Sequence, residues 1–463
     1  MKRILLSLFI SLSVFTACQK GELKPRIVVM TDIAPGHIEP DDMESMIRLM
    51  TYADQLEIEA LITTVGWNCD PYPSEWADSL HRVINAYEHD AKNLMKRSRQ
   101  KGFMSLKHEE GMQRIGYWPS PEYLRSRTAM GSQRAGIGVI GESNDTPGSE
   151  LIIRLVDEDD PRPIWFTCWG SGNTLAQAIW KVQQERSPED FKKFLSKIRV
   201  YTITDQDMIW AMRMNRAYSS HQWMRREFTD DLIFIWDESA WLSQNELGSR
   251  SWEEYASNIQ GKGELGKAYP TYKWGVEGDT PSFLNVLPNG LHDPDYPEQI
   301  GWAGCFRKGM CPDSLTVAWT NWEQPQKSIS RRYEERFYAD TFNDFAARIQ
   351  WAAEGSGNRN PVIRLNGSES YLPLVINANA GERVIADASE SFDPDGDSLT
   401  FTWWIQEDIS KHHDDVEVVT EGDKAEIIIP ENLTESEVHL ICEVRDNGTP
   451  SLTSYRRIIL HFR

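Results

Sequence analysis

Short apolar runs alternate with helical patterns between residues 26 and 236, and this alternation constrains the fold more than any other feature. Apolar runs bounded by polar or turn-forming residues are typical of buried parallel strands. The helical spacing is clearest after Asp41 and Asp42, where apolar residues recur every three or four positions. The strand-like runs are 26–30, 59–65, 163–168, 198–204 and 232–236. Strands that alternate with helices predict an α/β domain with a doubly wound, mainly parallel sheet.

The pattern changes at residues 354–361, where Gly, Ser, Asn and Pro give the chain the composition of a linker. Strand-like runs separated by turn signals follow, at 383–386, 399–405, 425–429, 439–444 and 456–462. About 100 residues of this pattern predict an Ig-like β-sandwich. We therefore expect an α/β domain at 24–354 and a sandwich domain at 361–463.

The first 17 residues have the pattern of a signal peptide. Lys2 and Arg3 precede a short apolar stretch, which ends in small residues just before Cys18. A cysteine directly after a small residue is similar to a bacterial lipoprotein signal, and the stretch is too short to span a membrane. We expect an exported protein of a bacterium, anchored by lipid on Cys18 in the periplasm or at the cell surface. An ordinary secretory signal with an incidental cysteine is the alternative.

The charge balance argues against a nucleic-acid partner. The 463 residues include 49 Lys and Arg against 70 Asp and Glu, a formal charge of −21. Phosphate binding needs a basic surface, whereas an acidic chain is compatible with a neutral sugar or a cation.

The 18 tryptophans either fill the core or form platforms for flat ligands, and Trp67, Trp169 and Trp302 fall near the expected ligand crevice. The oligomeric state is not indicated by the sequence.

The cysteines suggest one possible bridge. Cys305 and Cys311 are close enough in sequence to close a loop in an oxidising compartment. No two cysteines have the CxxC spacing of a zinc site.

Polar residues follow the predicted strands at the edge where an open parallel sheet binds its ligands. Asp32 follows the first strand, and Asp41 and Asp42 begin the next helix. Further along come Asn68, Asn173, Asp205, Asp207 and the pair Asp237-Glu238. Several carboxylates in one crevice repel one another, and a bound cation would offset this cost. Oxygen ligands of this kind suit Ca²⁺ better than Mg²⁺.

Simpler explanations exist for each of these residues. Asp41 and Asp42 could be helix-capping residues, and Asp32 and Asn68 could be turn residues.

The motifs resemble those of the nucleoside hydrolases. The similarity begins with Thr31-Asp32, a glycine-containing loop and Asp41-Asp42, which resemble the calcium-binding signature of that family. The run 61–68 is similar to its second-strand motif, 170–176 to its third-strand turn, and 277–285 to its final metal-binding motif. The resemblance implies that Ca²⁺ is bound by Asp32, Asp41, Asp42, Asp279 and a backbone carbonyl near Cys168. It also implies that Asp32, or else Asp42, is the base, and that Asn68 binds the sugar.

Several positions depart from that family. The loop between Asp32 and Asp41 is longer, and Gly278 stands where many of those enzymes have a histidine. The stretch that grips ribose has no counterpart, and 205–207 lies in roughly that region. His292-Asp293 is a second, weaker choice for the final metal-binding motif. In the stretches 205–207, 277–279 and 301–304 the chain more closely resembles an exported bacterial family that has a nucleoside-hydrolase-like domain followed by a β-sandwich and is described as cellulose-binding. This resemblance covers nearly the whole mature chain. Trp67, Asn173, Asp205 and Asp207 complete the expected substrate-binding set.

Two functions follow from these expectations. In the first, the protein hydrolyses N-glycosyl compounds with the help of Ca²⁺, by attack of water on an anomeric carbon. In the second, it is a surface lipoprotein that binds polysaccharide such as cellulose without turnover.

Overall fold

The computed structural model describes residues 22–67, 69–103, 113–207, 218–238, 240–411, 415–431 and 436–462. The predicted signal peptide, Cys18 and Asn68 lie outside these residues. The strands of the first part are β1 (Arg26–Thr31), β2 (Glu57–Thr63), β3 (Thr128–Met130), β4 (Ile164–Cys168), β5 (Ile198–Ile203), β6 (Ile233–Asp237), β7 (Arg307–Met310) and β8 (Val317–Thr320). The helices are α1 (Asp41–Met50), α2 (Asp78–Ser98), α3 (Pro121–Ser126), α4 (Pro147–Asp157), α5 (Asn173–Glu185), α6 (Pro188–Ser196), α7 (Ser220–Glu227), α8 (Ala240–Arg250), α9 (Trp252–Asn258), α10 (Gly263–Ala268), α11 (Thr280–Leu284) and α12 (Gln326–Glu354). Short 3₁₀ turns lie at Ser74–Ala77 and Ile137–Val139.

These strands form one eight-stranded sheet in the order β3-β2-β1-β4-β5-β6-β8-β7. All neighbours are parallel except β7 and β8. The predicted doubly wound α/β fold is therefore confirmed. The direction of strand order reverses between β1 and β4, and such a switch point opens a crevice at the carboxyl ends of the strands.

The apolar runs form strands because both faces of the sheet are covered. Ile27 and Val29 of β1 belong to one hydrophobic cluster, and Val28 and Met30 belong to the other. Successive side chains of a strand point to opposite faces, so an uninterrupted apolar run is what a doubly covered strand needs.

The C-terminal part contains two sheets, which confirms the predicted β-sandwich. Its strands are β9 (Leu374–Ala378), β10 (Arg383–Asp387), β11 (Thr400–Ile405), β12 (Glu417–Glu421), β13 (Lys424–Ile428), β14 (Ser436–Arg445) and β15 (Thr453–Phe462). The orders are β10-β13-β12 and β11-β14-β15-β9, and a third hydrophobic cluster lies between the sheets. The predicted runs do not include β9 and β12, which lie at sheet edges. β12 is mostly exposed and its apolar pattern is weak, whereas β9 begins with three consecutive apolar residues, 374–376, and was missed despite this signal.

The helix α12 joins the two parts. Its buried Asp340 accepts hydrogen bonds from Tyr455 Oη at 2.6 Å and from Arg445 Nη2 at 2.7 Å, both in the sandwich. Trp404 of β11 stacks near Tyr333 of α12, with 6.3 Å between ring centroids. Trp404 thus packs against the α/β domain, whereas the adjacent Trp403 packs against the core of the sandwich. The helix ends at Gly355, whose φ of 69° is a left-handed conformation that glycine adopts readily.

The first described residues lie beside the sandwich, before the amino end of β1. Leu23 forms an isolated bridge with Arg114, and the Glu22 carboxylate accepts a hydrogen bond from the backbone of Tyr371 at 3.1 Å. Among the described residues, no helix combines the length and apolar composition that a membrane crossing requires.

The structure decides two points that the sequence left open. Trp169 and Trp302 are buried core residues rather than ligand platforms. Trp169 donates a hydrogen bond to Ser282 Oγ at 2.6 Å, and Trp302 packs edge-on against Tyr455. Cys305 and Cys311 are both free thiols, so the possible bridge is not formed.

Candidate functional site

Four aspartates meet at the switch point of the sheet. Asp32 directly follows β1, Asp41 and Asp42 are the first residues of α1, and Asp279 immediately precedes α11. Oxygens of Asp41, Asp42 and Asp279 lie within 4.8 Å of one another. Asp32 lines the same cleft. The alternative His292-Asp293 pair lies elsewhere, since His292 is buried and its ring bonds the Asn285 carbonyl at 2.8 Å.

Helix capping does not explain Asp41 and Asp42. Pro40 occupies the N-cap position of α1, and no side chain caps the helix there. Asp42 accepts a hydrogen bond from Thr31 Oγ1, so the end of β1 fixes its orientation. Both carboxylates line the cleft, where the positive end of the helix dipole favours negative charge.

Two glycines let the chain approach these carboxylates closely. A Cβ at Gly66, after β2, would lie 1.9 Å from Asp32 Oδ2. A Cβ at Gly278 would lie 2.7 Å from Asp41 Oδ2. A side chain at position 278 would therefore require Asp41 to move, which is consistent with the glycine that stands here in place of a histidine.

Burial and mutual repulsion disfavour the charged forms of the cluster. Burial first, and then the neighbouring carboxylates, hold the pKa values of Asp32, Asp42 and Asp279 well above their usual range. The same causes raise the pKa of Glu39 to about 10, with Asp41 as the main neighbour. Asp32 Oδ1 and Asp41 Oδ1 are buried and have no hydrogen-bond partner among the described residues. Unpaired carboxylate oxygens, all acceptors, fit a hard divalent cation such as Ca²⁺.

The cleft above the aspartates has a volume of about 300 Å³ and mixed walls. Trp67 and Trp274 line it and are 39% and 66% exposed. Gln206 and Asn245 add two carboxamides. A cleft of this size with aromatic walls and a few polar groups is suited to a small ligand.

The middle residue of Asp205-Gln206-Asp207 reaches the cleft, whereas its neighbours do not. Gln206 Oε1 accepts a hydrogen bond from the backbone N–H of Trp67 at 3.1 Å, and Gln206 Nε2 donates one to the backbone carbonyl of Trp169. Asp205 is buried and accepts from Ser219 and Arg225, while Asp207 is buried and accepts from Ser171 and Ser220. The structure thus places both acids behind the cleft wall.

Asn173 and the side chain of Cys168 also lie away from the cleft lining. Asn173 is fully buried and donates to the Gly136 carbonyl at 2.6 Å. The Cys168 side chain lies in the hydrophobic cluster with Val28 and Met30, and a metal-ligand role for the backbone carbonyl near Cys168 stays a prediction. Of the substrate residues expected from the sequence, Trp67 alone is found in the cleft, with Asn68 outside the described residues.

A parallel α/β sheet with an acidic cleft at its switch point defines a nucleoside-hydrolase-like domain, here followed by a β-sandwich. The chain belongs to the family described as "Cellulose-binding Sde182, nucleoside hydrolase-like domain", which matches residues 26–306. Residues 383–462 match "Cellulose-binding protein Sde0182, C-terminal domain". These matches confirm the resemblance that the motifs indicated.

One solved structure resembles nearly the whole chain. It is a nucleoside hydrolase-related hypothetical protein from Saccharophagus degradans that is associated with carbohydrate metabolism. It shares 33% identity, covers 95% of this chain and all of its own, and has a TM-score of 0.80. The effector proteins XOO4466 and XopQ share 10% identity at TM-scores of 0.36 and 0.34, and nothing is inferred from them. No curated protein sequence matches the chain.

The raised pKa values predict an unusual pH dependence of stability in chelator. In the folded protein Asp32, Asp42 and Asp279 stay protonated at pH values at which the same residues have lost their protons in the unfolded chain. The contribution of such groups to the free energy of unfolding falls as the pH rises from the usual carboxyl pKa range towards their raised pKa values in the folded protein. We expect the melting temperature in EGTA to decrease from about pH 5 to about pH 9. Differential scanning calorimetry should show a shallower decrease for Asp279→Asn, and an equal decrease in both proteins would contradict this.

Proposed function

We propose that the protein hydrolyses a glycosyl bond in this cleft, by attack of water on an anomeric carbon, and that the bond is of the N-glycosyl type. The observation that supports this proposal most strongly is the group of four aspartates at the switch point, in which Asp32 Oδ1 has no hydrogen-bond partner among the residues that the structure describes. Asp32 would accept the proton of the attacking water. The leaving group would depart with the electrons of the broken bond, while the carboxylates stabilise the positive charge that develops on the sugar ring.

A cation belongs to this proposal. Asp41, Asp42 and Asp279 would hold Ca²⁺, with Asp32 beside them, since their oxygens are close, buried and otherwise repulsive. Bound Ca²⁺ would supply positive charge and ligand positions for sugar hydroxyls and water. Mg²⁺ is the second choice, because its octahedral shell is more demanding.

The test is sugar release from a panel of nucleosides and glycosides. Purified protein is incubated with Ca²⁺ or EGTA, and the reducing sugar formed is measured. We expect release with Ca²⁺, and we expect Asp41→Ala to raise the Ca²⁺ concentration for half-maximal release by at least about tenfold, because it removes one charged ligand. Release that is unchanged by EGTA and by Asp41→Ala would contradict the cation site.

Polysaccharide binding without turnover is the second candidate. It is favoured by the cellulose-binding description of the family and by the exposed Trp67 and Trp274 at the cleft. Indole faces stack on sugar rings. Lys273 Nζ lies over one face of the Trp274 ring, 4.8 Å from the ring centroid. Retained pull-down on cellulose, together with no release from any member of the panel, would favour this function over hydrolysis.

We also propose that the protein is exported and held by lipid on Cys18, because residues 1–18 have the lipoprotein-signal pattern. Metabolic labelling with a radioactive fatty acid, lost in Cys18→Ser, tests the anchor.

A further inference from the structure

Asn245 is a cleft residue that no sequence motif indicated. It lies on α8, is 7% exposed and lines the cleft beside the aspartates. Its Oδ1 is buried and has no hydrogen-bond partner among the described residues. A buried amide oxygen without a partner is costly, so such a group in a cleft wall is a candidate for ligand contact.

Glycines hold Asn245 in this place. A Cβ at Gly275 would lie 2.4 Å from Asn245 Cγ, and a Cβ at Gly248 of α8 would lie 2.6 Å from Val276 Cβ. The helix and the segment 275–278 therefore approach more closely than side chains would allow. This contact restricts the position of the carboxamide before any ligand arrives, which is how a specificity residue is preorganised.

The carboxamide also adjoins the position left empty by Gly278. A Cβ at Gly278 would lie 3.4 Å from Asn245 Oδ1 and 2.7 Å from Asp41 Oδ2. On the side of α8, the polar group nearest to Gly278 is thus the neutral carboxamide of Asn245. This group can form hydrogen bonds with a ligand without a change of its own charge.

We propose that Asn245 determines the specificity of the cleft, and that its carboxamide binds a hydroxyl group of a neutral sugar. This inference rests on the proposed function, because the sugar is the glycosyl part of its substrate. Asn245 Oδ1 needs a donor, and a sugar hydroxyl supplies one. When bound Ca²⁺ favours their ionised forms, the five carboxylates at the cleft outweigh the two positive charges of the cation and would repel a phosphate, so the preferred ligand carries no negative charge; they are Asp32, Glu39, Asp41, Asp42 and Asp279.

The probes are inosine, 2′-deoxyinosine, 3′-deoxyinosine and inosine 5′-monophosphate, with 4-nitrophenyl β-D-glucopyranoside and its 2-deoxy form as a second set. Each is tested on the full chain with Ca²⁺, as kcat and KM separately. Wild-type protein should prefer one hydroxylated probe to its deoxy form by roughly tenfold, the size of one good hydrogen bond. Asn245→Leu has a similar volume but no acceptor, and should bring that ratio close to one. Asn258→Leu is the matched control, since Asn258 is exposed on the next helix.

Asn245→Ala is made as well, because leucine could disturb the close packing with Gly275, and melting temperatures show whether each variant is folded. Dissociation constants are also measured in an Asp32→Asn background, which separates binding from turnover. Turnover with an unchanged hydroxyl-to-deoxy ratio in both Asn245 variants would overturn this inference alone. Binding that depends on Asn245 but never leads to turnover would support it and contradict hydrolysis. Failure of every hydroxylated probe to bind, or equal binding of the 5′-monophosphate, would overturn it.

Discussion

Asp32→Asn is expected to slow sugar release by roughly 10²- to 10⁴-fold, the contribution of a general base. Asp32 is favoured over Asp42 as the base because its Oδ1 has no hydrogen-bond partner in the described part of the chain, whereas Asp42 already accepts a hydrogen bond from Thr31. An accepted hydrogen bond stabilises the carboxylate and weakens it as a proton acceptor. The measurement is kcat at saturating Ca²⁺, which separates loss of the base from loss of cation affinity.

Two variants sharpen this comparison. Asp231→Asn removes an exposed carboxylate outside the cleft and should leave kcat within about twofold, as surface changes commonly do. Asp42→Asn should affect the Ca²⁺ requirement more than kcat. If Asp42→Asn abolishes kcat at saturating Ca²⁺ while Asp32→Asn keeps it, Asp42 is the base.

Glu277→Ala is expected to lower the free energy of unfolding by about 3–5 kcal/mol, because it leaves a buried cation without its partner. Glu277 and Arg48 are both fully buried, with 2.5 Å between Glu277 Oε2 and Arg48 Nη1. Tyr269 Oη also donates to Glu277, at 2.8 Å. Arg48 donates onward to the Thr341 carbonyl of α12 at 2.6 Å, so the pair connects the cleft to the helix that joins the two parts. Urea unfolding in EGTA, followed by tryptophan fluorescence, measures the loss.

The double variant Arg48→Met/Glu277→Leu provides the matched control. It replaces the ion pair by apolar groups of similar volume, and we expect it to be more stable than Glu277→Ala. A loss below about 1 kcal/mol for Glu277→Ala would mean that the ion pair contributes little. The effect also reaches the site, since Asp279 is two residues further along and depends on the same segment.

The sequence predicted the central strands β1, β2, β4, β5 and β6 and the acidic residues at their carboxyl ends, but not the outer strands β3, β7 and β8. Apolar runs such as Arg26–Thr31 are long because both faces are covered, and this signal is local. The cluster could be predicted because parallel strands bring their carboxyl ends to one edge, whatever the loops between them do. Asp32 and Asp41 converge for this reason. Asp279 follows no strand directly, and it was predicted from the resemblance of residues 277–285 to a family motif.

The walls of the cleft could not be predicted in the same way. In Asp205-Gln206-Asp207 the sequence does not reveal which side chain faces outward, and the choice depends on Arg225, Ser219 and Ser220 behind the loop. Asn245 and Trp274 come from segments that follow no strand of the sheet directly, so the rule about strand ends does not apply to them. Their roles depend on tertiary contacts, such as that between Asn245 and Gly275.

The entry of the chain at the amino end of β1 determines how an anchored molecule would be oriented. Glu22 lies against the backbone of Tyr371, and only residues 19–21 separate it from Cys18. The cleft opens at the other end of β1, six residues and therefore about 20 Å away along the strand. A lipid on Cys18 would hold the amino edge of the sheet towards the membrane and turn Trp67 and Trp274 outward, where a polymer too large to approach the bilayer could still reach them.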